Sequence, residues 1–132
     1  MRIEFEVFAN PLPKQSFKMG RGGGYTPQAT KDYQELVSWM AKKCLADMGH
    51  KPMQGNISVE LYFWRGNKRK VDLDNLSKCV LDAMNGVIYE DDRQITALHL
   101  FKAYDKENPR LKVVVEPIRD TPEQENLGGA SD

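Results

Sequence analysis

Long apolar runs are missing from this chain: nowhere do ~18 or more apolar residues follow one another, which excludes a membrane-spanning helix. The start MRIEFEVFANPLPK alternates polar and apolar residues where a secretory leader is continuously apolar, so the reading is a soluble, cytoplasmic protein with no membrane partner. Cysteine is scarce. Cys44 and Cys79 are the only two, and neither belongs to a CxxC pair or to a Cys/His zinc spacing. Both are expected to be small buried or half-buried residues in a reducing compartment. The two histidines, His50 and His99, lie far apart and carry no catalytic expectation.

An excess of charge is lacking as well, since 19 Lys and Arg balance 19 Asp and Glu. The balance conceals a segregation along the chain. Residues 120–132 hold Asp120, Glu123, Glu125 and Asp132 and no basic residue. Without those four, nineteen basic residues face fifteen acidic ones, a net charge of +4. A working surface more positive than the total is compatible with a polyanionic partner.

The organisation follows from hydrophobic periodicity. Ile3, Phe5 and Val7 alternate with Arg2, Glu4 and Glu6, the period of a strand with one buried face. Asn10-Pro11-Leu12-Pro13 ends it, and residues 14–27 form a long loop in which Lys14, Lys18 and Arg21 surround four glycines. From Thr30 to about Met48, apolar residues at three- and four-residue spacing predict an amphipathic helix that Gly49 stops. A second strand takes Ile57, Val59, Leu61 and Phe63 on one face and runs into the basic segment Arg65, Lys68, Arg69, Lys70. A second helix carries Leu73, Leu76, Val80, Ala83 and Val87 on one face, has Asp72 or Asp74 as its N-cap, and ends at Asn85-Gly86.

Strands over about Gln94–Ala103 and Arg110–Glu116, joined by a turn, read as a hairpin. The expectation is an α+β fold in the order β-α-β-α-β-β, a mixed four-stranded sheet with two helices packed on one face. Residues 1–117 make one domain, and 118–132 read as a disordered acidic tail.

The chemistry concentrates where the second strand ends. Asp72 and Asp74 follow directly on the basic run, and Glu90-Asp91-Asp92 comes one helix length later. Carboxylates without His or Cys suit a hard divalent cation such as Mg²⁺, while the neighbouring cations suit a phosphate backbone. Together they point to metal-assisted cleavage of nucleic acid. Taken alone, Asp72 and Asp74 read first as acids stabilising a helix N-terminus, Lys78 as an i, i+4 partner of Asp74, and Asp91-Asp92 as a solvated turn; the neighbouring basic run shifts that reading. A helix from Asp72 to Gly86 is about 21 Å long. The return of six extended residues covers at most about 20 Å. Asp92 therefore only just reaches back to Asp72 and Asp74, and otherwise the third carboxylate comes from a second copy.

The tract Asp72-Leu73-Asp74-Asn75-Leu76 with Lys78 and Asp82, preceded by the basic run and followed by Tyr89-Glu90-Asp91-Asp92 before a strand, resembles the RusA-type Holliday junction resolvases, small endonucleases of phage and prophage origin. The resemblance covers residues 57–116, and more loosely the first strand, Pro11-Leu12-Pro13-Lys14 and the first helix. It implies Asp72, Asp74 and Asp92 as catalytic metal-binding carboxylates, Asp91 as a further metal ligand, and Lys78 as the catalytic cation. It also implies a homodimer that uses Mg²⁺ or Mn²⁺ to place paired nicks in four-way or otherwise branched DNA, in a bacterial or phage-infected cell. Lys14, Lys18, Arg21, Arg65, Lys68, Arg69 and Lys70 are then the expected DNA contacts. Two readings compete with this one: a non-catalytic junction- or single-strand-binding protein in which Tyr62 and Trp64 stack on bases, and a protein-interaction module built on the hairpin and tail.

Overall fold

The computed structural model describes residues 1–14 and 27–118. Its elements are β1 (Ile3–Val7), α1 (Pro27–Met48), β2 (Ile57–Arg65), α2 (Leu73–Met84), β3 (Ile95–Tyr104) and β4 (Arg110–Pro117), with a short 3-10 turn at Asp92–Gln94 just ahead of β3. This is the α+β order that the periodicity predicts. The expected loop cations Lys18 and Arg21 and the acidic tail from Arg119 onward lie outside the described residues.

The strands form one mixed sheet in the order β1-β4-β2-β3. β4 runs antiparallel to both β1 and β2, while β2 and β3 are parallel, as a strand-helix-strand crossover through α2 requires. On the inner face Ile3, Phe5 and Val7 of β1, Leu111, Val113 and Val115 of β4, and Ile57, Val59, Leu61 and Phe63 of β2 are buried under the helices. α1 contributes Tyr33, Val37, Ala41 and Leu45, and α2 contributes Leu76, Cys79, Val80 and Met84. Gly49 stops α1 with a positive φ of 68°, a conformation that residues bearing a Cβ adopt at a cost.

The expected hairpin is corrected. β3 and β4 do not pair, because β2 lies between them. The link from Asp105 to Pro109 passes over the end of β2: the Asp105 amide donates to the Arg65 carbonyl at 2.8 Å, and Pro109 packs over Gly66. A Cβ on residue 66 would lie 3.1 Å from Pro109 Cγ, so glycine lets the crossing chain lie close. The burial explains the order. Val113, Val114 and Val115 are all buried, so β4 is covered on both faces and belongs inside the sheet, whereas seven of the ten residues of β3 are exposed.

Cys79 is fully buried, and burial pushes its thiol up to about 12. Cys44 is half-buried and donates weakly to the Glu4 carbonyl at 3.6 Å. Among the described residues, no helix is long and apolar enough to cross a membrane.

Candidate active site

Asp72 occupies the N-cap of α2 with extended backbone (φ −82°, ψ 139°), and its carboxylate makes no capping hydrogen bond. The helix instead begins with the backbone bond from the Leu76 amide to the Asp72 carbonyl, so the side chain is exposed and uncommitted. Asp74 follows in the first turn, also exposed, where its carboxylate sits 3.3 Å from Lys78 Nζ. Two acids at a helix N-terminus are held there partly by the helix dipole, and neither is tied into the interior. Both face solvent where β2 hands the chain to α2.

The basic run surrounds the same point, and its members differ in exposure. Lys68, Arg69 and Lys70 are exposed, but Arg65 is only 2% exposed and donates to the Pro11 carbonyl at 2.8 Å and to Asn67 Oδ1 at 3.3 Å. Arg65 is the last inward-facing residue of β2, continuing the alternation of Ile57, Val59, Leu61 and Phe63. It therefore braces the loop from inside and lies at the wall of the basic cleft rather than on its open rim.

Two residues that the sequence reading missed join the run. Lys102 of β3 donates to the Val71 carbonyl at 2.8 Å, and Tyr104 lies under Lys68, whose Nζ is 5.0 Å from the ring centroid. Lys68, Arg69, Lys70, Lys102 and Tyr104 line a cleft of about 300 Å³ that opens beside Val71 and Asp72. Neither residue stands out in one dimension, because their importance comes from β3 lying next to β2.

The second acidic group lies elsewhere. Asp91 caps the 3-10 turn: its side chain accepts from the Arg93 amide at 3.1 Å and from Arg93 Nε at 3.0 Å. The Arg93 amide, followed by the Asp92 carboxyl and the Arg93 side chain, holds Asp91 below the usual carboxylate range. Asp92 is pushed the other way, first by its hydrogen bond with Asp91, and the charge on Asp82 adds to the effect.

Gln94 fixes the turn. Its Oε1 accepts from the Glu90 and Asp91 amides at 2.8 and 2.9 Å, and its Nε2 donates to the Met53 and Gly55 carbonyls, both at 2.9 Å. Gln94→Ala removes all four bonds and is expected to cost about 1–3 kcal/mol. A thermal melt checks this, and an unchanged midpoint contradicts the bracing role.

The two acidic groups do not meet within one chain. β3 begins beside Ile57 and ends beside Arg65, so Asp92, just before β3, lies at the start of β2, whereas Asp72 lies past its end. The 12 residues of α2 run back between them, a separation of roughly 17 Å. The chain after α2 does not return toward Asp72. Gly86 and Tyr89 close a turn through the bond from the Gly86 amide to the Tyr89 carbonyl, and Tyr89 bridges to Met53. Among the described residues, no three Asp, Glu, His or Cys side chains of one chain come together to hold a metal ion.

Lys14 sits on the outside of α2. Its amide donates to the Asn75 carbonyl at 2.9 Å, and its ammonium pairs with Asp82 at 2.5 Å, which holds its pKa above the usual value. Tyr62 stacks on Phe101 with ring centroids 4.9 Å apart and on Trp64 at 6.1 Å, while Arg110 covers Trp64 at 3.9 Å. The rings that the binding-protein reading needs for bases are thus engaged with one another.

A family model for endodeoxyribonuclease RusA matches residues 9–116, which span both helices, β2, β3 and all but the last residue of β4, and leave out β1. The chain belongs to the RusA endodeoxyribonuclease family. RusA membership makes it a nuclease of the Holliday junction resolvase type, acting on branched DNA, and sets the exposed acids and the basic cleft in that context. The chain is also similar to the uncharacterized protein YqaN of Bacillus subtilis (strain 168), at 26% identity over 88% of this chain and 96% of that protein.

Proposed function

We propose that this RusA-family protein is a divalent-cation-dependent endonuclease that cuts four-way DNA junctions by paired nicks, with each acidic centre assembled from two copies of the chain. The observation that carries the reading is Asp72: a helix-capping carboxylate that makes no cap bond and stands exposed beside a basic cleft. Hard carboxylate oxygens without nitrogen or sulfur donors fit Mg²⁺ or Mn²⁺, which proteins commonly hold through one or two carboxylates plus substrate phosphate. One chain supplies Asp72 and Asp74 at one end of α2 and Asp91 and Asp92 at the other. Two chains related by a two-fold axis supply both groups at each of two centres.

In this reading Asp72 and Asp74 hold the cation, and Asp92 of the second copy, with Asp91 beside it, completes the shell. A bound cation supplies Lewis acidity toward the scissile phosphate and lowers the pKa of water. Lys78, one helical turn from Asp74, swings from its carboxylate to the phosphate and offsets charge that develops in the transition state. Lys68, Arg69, Lys70 and Lys102 hold the backbone of the DNA arm, and Lys14, with Lys18 and Arg21, contacts a second arm. Two equivalent centres of opposite polarity account for paired nicks. The work takes place in the cytoplasm, where such DNA is found.

The test is cleavage of an end-labelled synthetic four-way junction, with a linear duplex as control, in Mg²⁺ and in EDTA. Paired nicks in the junction alone, and only with the cation, are expected. Wild-type protein that binds the junction but never nicks it, with Mg²⁺ or Mn²⁺, overturns the proposal in favour of a non-catalytic binder.

A further inference from the structure

Phosphate binding explains the cations of the basic cleft and leaves one of its walls without a role. Tyr104, 46% exposed, stands among Lys68, Arg69, Lys70 and Lys102, and its ring adds little to the hold on a polyanion. The sheet aims it there. Lys102 and Tyr104 are two residues apart on β3 and pair with Phe63 and Arg65 of β2, on the inward face that the helices cover. Phe101 lies on the other face, paired with Tyr62 and stacked on it at 4.9 Å. Tyr104 is therefore the exposed ring of β3 on the side of α2. Its backbone is fixed by the last pair of the β2–β3 register and by the bond from the Asp105 amide to the Arg65 carbonyl at 2.8 Å.

We propose that Tyr104 is a stacking platform for one unpaired nucleobase, and that this contact makes the protein selective for branched DNA. The inference rests on the endonuclease reading above and adds to it a base-binding subsite. The cleft holds about 300 Å³, the lower end of the range for small-ligand sites, so it takes a single ring system. The ring is covered by Lys68, an exposed side chain whose Nζ lies 5.0 Å from the centroid. An exposed cation over a ring is worth only about 2- to 5-fold in an equilibrium, whereas a base stacked on an aromatic side chain is worth roughly 5- to 150-fold. A base therefore displaces the ammonium, which turns to a neighbouring phosphate.

The same magnitudes set the selectivity. Drawing a paired base out of a continuous duplex costs roughly 100-fold or more, which the strongest stacking only just offsets, so Tyr104 gains nothing on linear DNA. At a branch point the helical stack is interrupted and the cost falls, so the contact forms there. Lys102 ties this subsite to the acids. Its ammonium donates to the Val71 carbonyl at 2.8 Å, so the wall that carries Tyr104 adjoins the residue before Asp72. A base held on Tyr104 brings the backbone of a branch, and not of an uninterrupted arm, beside Asp72 and Asp74.

Photochemical cross-linking of the wild-type chain tests the contact without any substitution. Synthetic four-way junctions carrying 5-iodouracil either at the branch point or deep in one arm are bound in EDTA, irradiated, and digested for mass spectrometry. A cross-link to Tyr104 is expected from the branch-point position and not from the arm. Tyr104→Ala is expected to lower junction affinity at least about 10-fold and to leave linear-duplex affinity within about 2-fold, while Tyr104→Phe, which keeps the ring, retains the wild-type preference. Lys68→Ala lowers both affinities alike and flattens their salt dependence, a response that Tyr104→Ala does not share.

Branch-point cross-links that avoid Tyr104 overturn the inference, as does a Tyr104→Ala protein with the wild-type preference for the junction. Equal losses on junction and duplex in Tyr104→Ala reduce the ring to a support for Lys68 and overturn it as well. In each of these cases a wild type that still nicks the junction leaves the endonuclease reading standing, whereas a wild type that neither prefers nor nicks the junction overturns both.

Discussion

Asp72→Asn is expected to lower the nicking rate on a four-way junction by about three orders of magnitude or more, equivalent to roughly 4 kcal/mol of lost barrier lowering. Melting temperature and junction affinity should hold. The separation of effects follows from the local structure. The Asp72 carboxylate makes no capping bond, and the residue enters the helix through its carbonyl, which Asn keeps. Asn and Asp are also nearly equal as N-caps. Affinity is expected to stay level or rise, because one negative charge is removed beside Lys68, Arg69 and Lys70. Single-turnover nicking, fluorescence anisotropy and a thermal melt on the same preparation decide the matter. Retained nicking reduces Asp72 to an ordinary helix-terminal acid.

Arg65→Ala is expected to have the largest effect on stability, about 3 kcal/mol or more, with little direct effect on phosphate contacts. Arg65 is buried, and its guanidinium joins β2 to the Pro11 carbonyl and Asn67. Asn67 in turn accepts from the Arg69 amide at 3.0 Å, so the shape of the basic loop depends on this buried group. Truncation empties a packed volume and leaves a buried carbonyl without its donor. Chemical denaturation with and without the substitution measures the loss. A change in salt dependence of DNA binding at unaltered stability contradicts the assignment and returns Arg65 to the DNA surface.

Arg65 also shows how far the sequence can be read. A run of four basic residues looks uniform, yet the period of two from Ile57 to Phe63 continues to residue 65 and points it inward. Lys68, Arg69 and Lys70 lie past the strand end and point out. Local signals of this kind locate both helices, the stop at Gly49 and the turn at Asn85-Gly86. They fail where an outcome depends on distant partners. The run Val113-Val114-Val115 marks a strand covered on both faces, but nothing near it says that β4 enters between β1 and β2.

The candidate site divides the same way. Asp72, Asp74 and Lys78 share one helix start, and their proximity is legible from spacing. Lys102 and Tyr104 reach the cleft only because β3 pairs with β2. Asp92 lies just before β3 and faces the wrong end of α2 for a one-chain centre. The parallel β2–β3 register sets the two acidic groups toward opposite ends of α2, which is the observation behind the proposed use of a second copy.

Subunit mixing puts the shared centre to its most direct test. Asp72→Asn and Asp92→Asn are each prepared as inactive protein, exchanged in equal amounts, and assayed for junction nicking with Mg²⁺. In a mixed dimer one centre carries both substitutions and the other carries neither. Half of the dimers are mixed, so activity is expected to recover to about a quarter of the wild-type level. An inactive mixture, with subunit exchange demonstrated independently, contradicts a centre built from two copies.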